Sequence, residues 1–370
     1  MNHKETLFFV AKCLTISLEE KNKQEVEQQL KTQTVDWDAV VRISTAHYVF
    51  PALYCNLKRA NFLSYLPKEL VEYMQHITEL NRERNQQIIE QAKEINELLL
   101  SHNITPIFLK GTGNLLENLY EDVAERMVGD IDFIFSKENY PKAIKVLTEN
   151  NYSKVVKINY IFPNFKHYPR LQKENKIAAV EIHKELLIEK YAKEFNYRLI
   201  AKDAQKINGV TVMSFSNQLA LSIIAKQIND AGFHYKNIAL RNAYDLFLLS
   251  KKTVAKEAFK KFDTLQNPLN CFLAICYVTF NNINSLAYTK TVETEKYVAV
   301  YNNYLLNESK RNSVYKRKST ELFIKNRMSI IYKSLFDKEH RQWLLKRITD
   351  KNWQQEKLIQ LGIKKSKPSS

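Results

Sequence analysis

The stretch FLKGTGNLLENLYEDVAERMVGDIDFIF, residues 108–135, holds three of the six glycines in a chain of 370 residues: Gly111, Gly113 and Gly129. Just before it, ITPIFL (104–109) reads as a short buried strand. The glycine-bearing turn then opens a helix over GNLLENLYED. Such a turn lets backbone N–H groups approach phosphates, and a helix N-terminus favours anions. Lys110 adds a positive charge there and Thr112 a hydroxyl donor. Plain structural turns between strand and helix look the same, so the turn alone decides nothing.

The end of the stretch is more telling. In DIDFIF, residues two apart share a face of a strand. Asp130 and Asp132 therefore project together with Ile134, while Ile131, Phe133 and Phe135 face a core. Two carboxylates about 6–7 Å apart in a partly buried site repel by roughly 2–3 kcal/mol. A divalent cation reverses that sign, and hard oxygen ligands suit Mg²⁺. The plain alternative is a solvated pair on a strand edge. A third carboxylate comes from AAVEIHKEL: Glu181 alternates with Ala179 and His183 on one face, with Val180 and Ile182 on the other.

Outward from this core the chain reads as helix. Asp36 is a candidate N-cap for the helical stretch DWDAVVRISTAHYVFPALYCNLKR, and Pro67 opens a long amphipathic pattern carrying Leu70, Met74, Ile77, Ile88, Ala92, Ile95 and Leu99. Beyond the DIDFIF strand, a helix is expected over SKENYPKAIKVLTENN with Ser136 as cap, and strands over YSKVVKI and KIAAVEIH. Asn208-Gly209 marks a hairpin. The organisation expected is α+β: residues 1–103 helical, 104–215 an α/β core, 216–300 helices packing on it, and 301–370 a basic helical region.

The formal charge is +16, and residues 301–370 carry 17 Lys+Arg against 6 Asp+Glu. That balance invites nucleic acid or nucleotide phosphates, although a biased genome composition produces the same excess. Arg311, Lys316, Arg317, Lys318, Lys325, Arg327, Lys346 and Arg347 interleave with Tyr315, Tyr332, Trp343 and Trp353, a pattern able to grip RNA; a solvated helical cap is the plain reading. The four cysteines show no metal-ligand spacing, which suits buried thiols in a reducing cytoplasm. Apolar runs such as AICYVTF (274–280) fall short of the ~20 residues a membrane span needs. No signal peptide is expected at the N-terminus.

LKG (109–111), Arg126, GDID (129–132) and EIH (181–183), in that order, resemble the DNA polymerase β-like nucleotidyltransferase superfamily. Within it the chain resembles a bacterial nucleotidyltransferase family related to AbiEii-type toxins. DWDAVVRISTAHYVFPALYCNL (36–57) and LRNAYDLFLL (240–249) extend the likeness over about residues 35–250. A Glu stands where a third Asp is more usual, and Lys184 where Trp often follows the His.

The resemblance implies a polymerase β-like core, a mixed β-sheet with flanking helices, embedded in N- and C-terminal helical segments. It implies transfer of an NMP from an NTP such as ATP to a hydroxyl, with two Mg²⁺ ions (or Mn²⁺). Asp130, Asp132 and Glu181 would be the catalytic metal ligands. Gly111 and Thr112 would cradle the triphosphate, Gly129 would let the chain pass close, and Lys110 and Arg126 would neutralise phosphate charge. His183 and Lys226 are weaker candidates, with a packed histidine and a snorkelling lysine as the plain readings. Arg241 and Asp245, four apart on a helix, are expected to pair with each other. His47 is expected to be a buried, hydrogen-bonded residue, and His167 joins no ligand pattern. The acceptor stays open: tRNA, protein, sugar or small molecule. A tRNA-modifying toxin and a non-catalytic nucleotide- or RNA-binding protein are the other readings.

Overall fold

The computed structural model describes residues 1–32, 34–156, 162, 163 and 165–360. They fall into two units, Met1–Val155 with Lys166–Asn312, and Val156–Phe165 with Ser313–Ser370.

The first unit begins with α1 (His3–Cys13), α2 (Glu20–Lys31), α3 (Trp37–Ala46), α4 (Phe50–Arg59) and α5 (Lys68–Leu100). The Asp36 side chain accepts from the Ala39 N–H at 3.0 Å and so caps α3. Pro67 stands directly before α5. Met74, Ile88, Ala92, Ile95 and Leu99 are buried along α5, at helical spacing. Leu70 and Ile77 are only partly buried.

The core follows as β1 (Ile107–Phe108), α6 (Lys110–Leu116), β2 (Asp130–Ile134), α7 (Asn139–Glu149), β3 (Ser153–Lys154), β4 (Leu171–Gln172), β5 (Ala179–His183), α8 (Tyr197–Ala201), β6 (Gln205–Ile207) and β7 (Val210–Val212). The strands form one seven-stranded mixed sheet in the order β3-β4-β5-β2-β1-β7-β6. β2 is central, parallel to β5 and antiparallel to β1. The fold is thus mixed α+β with flanking helices, an arrangement consistent with a nucleotidyltransferase.

One further local expectation holds. Asn208 (φ 49°) and Gly209 (φ 81°) both adopt the left-handed conformation that a two-residue hairpin turn requires. Other expectations shift. The Ser136 hydroxyl accepts from the Asn139 N–H at 3.3 Å, but the residue at the N-cap position of α7 is Glu138, whose side chain makes no capping bond. The strand expected over 104–109 shortens to Ile107–Phe108, although Leu109 still donates to the Asp132 carbonyl at 2.9 Å. Of the strand expected over YSKVVKI, Ser153–Lys154 forms; residues 157 and 158 lie outside the described residues. β4 was not expected, being two residues long and carrying no periodicity.

After the sheet come α9 (Phe215–Ile224), a π-helical turn Ala225–Asn229, α10 (Gly232–Tyr235), α11 (Leu240–Ser250), α12 (Gln266–Thr279) and α13 (Val292–Leu306). All four cysteines are buried free thiols. α14 (Glu308–Phe336) leads into the second unit, which adds α15 (Lys338–Thr349) and α16 (Lys351–Gln360). Among the described residues no helix is long and apolar enough to cross a membrane.

Candidate active site

The site is built on the pairing of β2 with β5. Asp130 stands opposite Ala179, Asp132 opposite Glu181 and Ile134 opposite His183. Alternation therefore puts Asp130, Asp132, Glu181 and His183 on one face. Ile131, Phe133, Val180 and Ile182 fill the other and are fully buried. The apolar face fixes the register, since a one-residue slip would drive the carboxylates into the core.

Two cations meet these carboxylates. Lys110 Nζ lies 2.6 Å from Asp132 Oδ1, 3.7 Å from Glu181 Oε2 and 3.4 Å from His183 Nε2. Arg170 donates through Nε to Glu181 Oε1 at 2.7 Å and pairs with Asp130 Oδ2 at 3.0 Å. His183 Nε2 is 2.8 Å from Asp132 Oδ1 and 3.5 Å from Glu181 Oε2. Burial alone would raise the Glu181 carboxyl. The His183 hydrogen bond and the charges of Lys110, His167 and Arg170 outweigh it and hold Glu181 far below the usual carboxylate range. Asp130 goes the other way: burial and its neighbours Glu181 and Asp132 raise it despite Arg170.

The glycines act differently from a simple turn. The left-handed residue at the entrance to α6 is Lys110 itself (φ 52°), not a glycine. A non-glycine residue there costs about 1–2 kcal/mol, held by the surrounding structure. Gly111 and Gly113 lie inside α6 and are set by close packing. A Cβ on Gly111 would come 2.9 Å from Val128 Cγ2, and one on Gly113 3.0 Å from the Phe108 carbonyl oxygen. A Cβ on Gly129 would meet nothing within 4 Å, so no protein atom demands glycine there. The Thr112 hydroxyl donates to the Asp130 carbonyl at 2.9 Å and ties α6 to β2.

The connector before β2 is clamped from three helices. Asn81 and Asn85 of α5 donate to the Ala124 and Arg126 carbonyls, at 2.7 Å each. Arg59 of α4 pairs with Glu125, and so does the Tyr244 hydroxyl of α11. Arg126 is buried, with Nε 2.9 and 3.0 Å from the two Asp245 oxygens. Tyr120 adds a 2.6 Å bond to Asp245. Arg241 instead lies over the Tyr48 ring at 5.0 Å. The expected Arg241–Asp245 pair is thus replaced: a fully buried carboxylate needs a partner that leaves neither oxygen bare, and Arg126 supplies it. The Arg126 guanidinium also lies 3.7 Å from the point a Gly111 Cβ would occupy, directly against the α6 entrance.

Sequence reasoning missed the segment Lys166–Arg170. His167 bridges to His183, with ring centroids 5.4 Å apart, and its Nε2 lies 3.9 Å from Glu181. Burial, then the charge of Lys110, lowers the half-buried Lys166 ammonium. The only local signal was three basic residues in KHYPR. Lys226 sits apart on the π-helical turn, lowered by burial. His47 accepts from the Leu240 N–H at 3.2 Å, and burial lowers it to about 4.

A family model described as uncharacterised nucleotidyltransferase matches residues 33–281, more than half of the chain. The chain belongs to this family. No curated protein and no solved structure matches it. As a member of the family the protein is a transferase with a nucleotide substrate, and the matched span contains every residue of the carboxylate face.

Nucleotidyltransferases usually use divalent metals, and the donor set fits one. Asp132, Glu181 and His183 each offer a ligand atom, all within 4.8 Å of one another. The Lys110 ammonium already lies among those three atoms, so the face accommodates a cation. The grouping departs from expectation in one respect: it contains His183, while Asp130 turns its Oδ2 toward Arg170.

Proposed function

We propose that this protein is a metal-dependent nucleotidyltransferase with a polymerase β-like core, moving an NMP from an NTP to a hydroxyl acceptor and releasing pyrophosphate. The observation that carries the reading is the register of Asp132 against Glu181, with Asp130 on the same face and α6 alongside. Three carboxylates on one buried face cost stability unless they serve a cation.

Asp130, Asp132 and Glu181 would hold divalent ions such as Mg²⁺, with His183 as a nitrogen donor or as the hydrogen-bond partner that orients Asp132. Bound ions would supply Lewis acidity and a lowered pKa for the attacking hydroxyl. The chain's own residues do the rest. Glu181 accepts the hydroxyl proton and passes it to solvent as the new O–P bond forms and the bond to pyrophosphate breaks. Lys110, freed from Asp132, places its charge on the phosphates. Gly111 and Thr112 offer first-turn N–H groups, which have no partner within the helix. Arg126, braced by Asp245, adds charge from beneath that turn. Gly129 leaves room for close approach.

The test uses the protein and an Asp130→Asn/Asp132→Asn double variant. Each is incubated with one α-labelled NTP, Mg²⁺ and a whole-cell extract, and RNA, protein and small molecules are separated. Label in one fraction that vanishes in the variant supports the reading and names the acceptor class. Label that persists in the variant overturns it.

A second reading, a toxin that modifies tRNA, is favoured by the second unit. There exposed Phe323 and Tyr332 lie on basic α14, with Arg327 over the Phe323 ring at 4.9 Å. Growth arrest on expression, with label recovered in tRNA, would select it.

A further inference from the structure

The two oxygens of Glu181 serve different cations. Oε2 faces Lys110 and His183; Oε1 faces Arg170, with His167 at 3.9 Å. The carboxylate face therefore has an inner half, held by Lys110 on Asp132, and an outer half, held by Arg170 on Asp130 and Glu181. The two cations differ in surroundings. The Lys110 side chain is 28% exposed, whereas that of Arg170 is 53% exposed. Arg170 can leave its carboxylates and keep its water; it stands just before the two-residue strand β4, with about half of its side chain open to solvent.

We propose that Arg170 is a displaceable counter-ion: a divalent cation takes Asp130 Oδ2 and Glu181 Oε1 from it, and the freed guanidinium binds a substrate phosphate. This rests on the nucleotidyl-transfer reading above. The oxygens Arg170 occupies are hard anionic donors of the kind Mg²⁺ or Mn²⁺ uses. A divalent ion placed on them repels the guanidinium. Charge balance then sets its destination. Lys110 and Arg170 nearly match Asp130, Asp132 and Glu181 in charge, with Lys166 close by. Adding divalent ions makes the site strongly positive, and only a polyanion restores the balance. The planar fork of Arg suits two oxygens of one phosphate.

The proposal gives opposite signs for two ligands. Mn²⁺ affinity would be measured from the free-ion electron paramagnetic resonance signal, without nucleotide, for wild type, Arg170→Gln, Arg170→Lys and Asp132→Asn. Arg170→Gln should bind Mn²⁺ roughly tenfold tighter than wild type, with Arg170→Lys close to wild type. With Mn²⁺ saturating, Arg170→Gln should bind an α,β-methylene NTP analogue roughly tenfold weaker, because a charge-assisted bidentate contact is lost. Unchanged or weaker Mn²⁺ binding by Arg170→Gln overturns the counter-ion role. Unchanged binding of the analogue overturns the phosphate role. If wild type binds no more Mn²⁺ than Asp132→Asn, the nucleotidyl-transfer reading fails and takes this one with it. Arg170 is half exposed, and an unchanged melting temperature would show that the fold survives the substitution.

Discussion

Asp132 and Glu181 stand directly opposite each other on parallel strands, 49 positions apart in sequence, and both are nearly buried. The sheet holds their carboxylates together whether or not a cation is present. Asp132→Asn and Glu181→Gln should each lower divalent-ion affinity at least tenfold, read by calorimetry with Mn²⁺. Both should lower the melting temperature measured without metal, because each takes an anionic partner from the buried Lys110 ammonium. A stable variant with undiminished Mn²⁺ binding would show that the pair is not a ligand set.

The glycines separate packing from ligand approach. Gly111→Ala should cost about 1–3 kcal/mol, since its Cβ meets Val128 Cγ2 and valine has little rotamer freedom to yield. Val128→Ala in the same chain should recover part of that loss. Gly129→Ala should change stability by less than about 0.5 kcal/mol, because the Cβ enters open space. It should nevertheless weaken nucleotide binding. Thermal unfolding and nucleotide titration on the three variants check all of this.

Arg126 and Asp245 join the connector before β2 to α11 as a buried ion pair. Removing either partner strands a charge. Arg126→Ala should destabilise by about 3–5 kcal/mol, and the Arg126→Ala/Asp245→Ala double variant by clearly less than the sum of the singles. Chemical denaturation of the four proteins gives the coupling. Additive losses would show that the two residues act independently.

Glu117 at the end of α6 is buried beside the Gln218 amide, with no ion-pair partner among the described residues. Burial raises its carboxyl from 4.5 to about 8. The folded chain therefore holds a proton that the unfolded chain releases, and this group's contribution to stability falls as pH rises from 4.5 to about 8. At pH 7 keeping this proton costs the fold roughly 3 kcal/mol relative to low pH. Glu117→Gln should remove that dependence, stabilising the protein at pH 8 and changing little at pH 4. Denaturation midpoints at the two pH values decide it; equal shifts at both would rule the titration out.

Local patterns carried far into this protein. Alternation in DIDFIF and AAVEIH placed Asp130, Asp132, Glu181 and His183 on one face, because a strand repeats every two residues whatever its partners. Asp36, Pro67 and Asn208-Gly209 marked element ends for equally local reasons, a side-chain cap, a fixed φ and a left-handed turn. Other features depend on residues that meet only in space. KHYPR has no period, and its reach to the carboxylates depends on His167 bridging His183, 16 positions later. Arg126 found Asp245 across 119 positions, and this ended the local pairing expected for Arg241. Even the glycines needed the tertiary structure: the sequence marked the turn as special, but only packing against Val128 and Phe108 showed that they admit close approach while Lys110 makes the turn. Backbone period and capping are written within a few residues. The partner of a buried charge is chosen by whichever opposite group the fold brings close enough to replace its water.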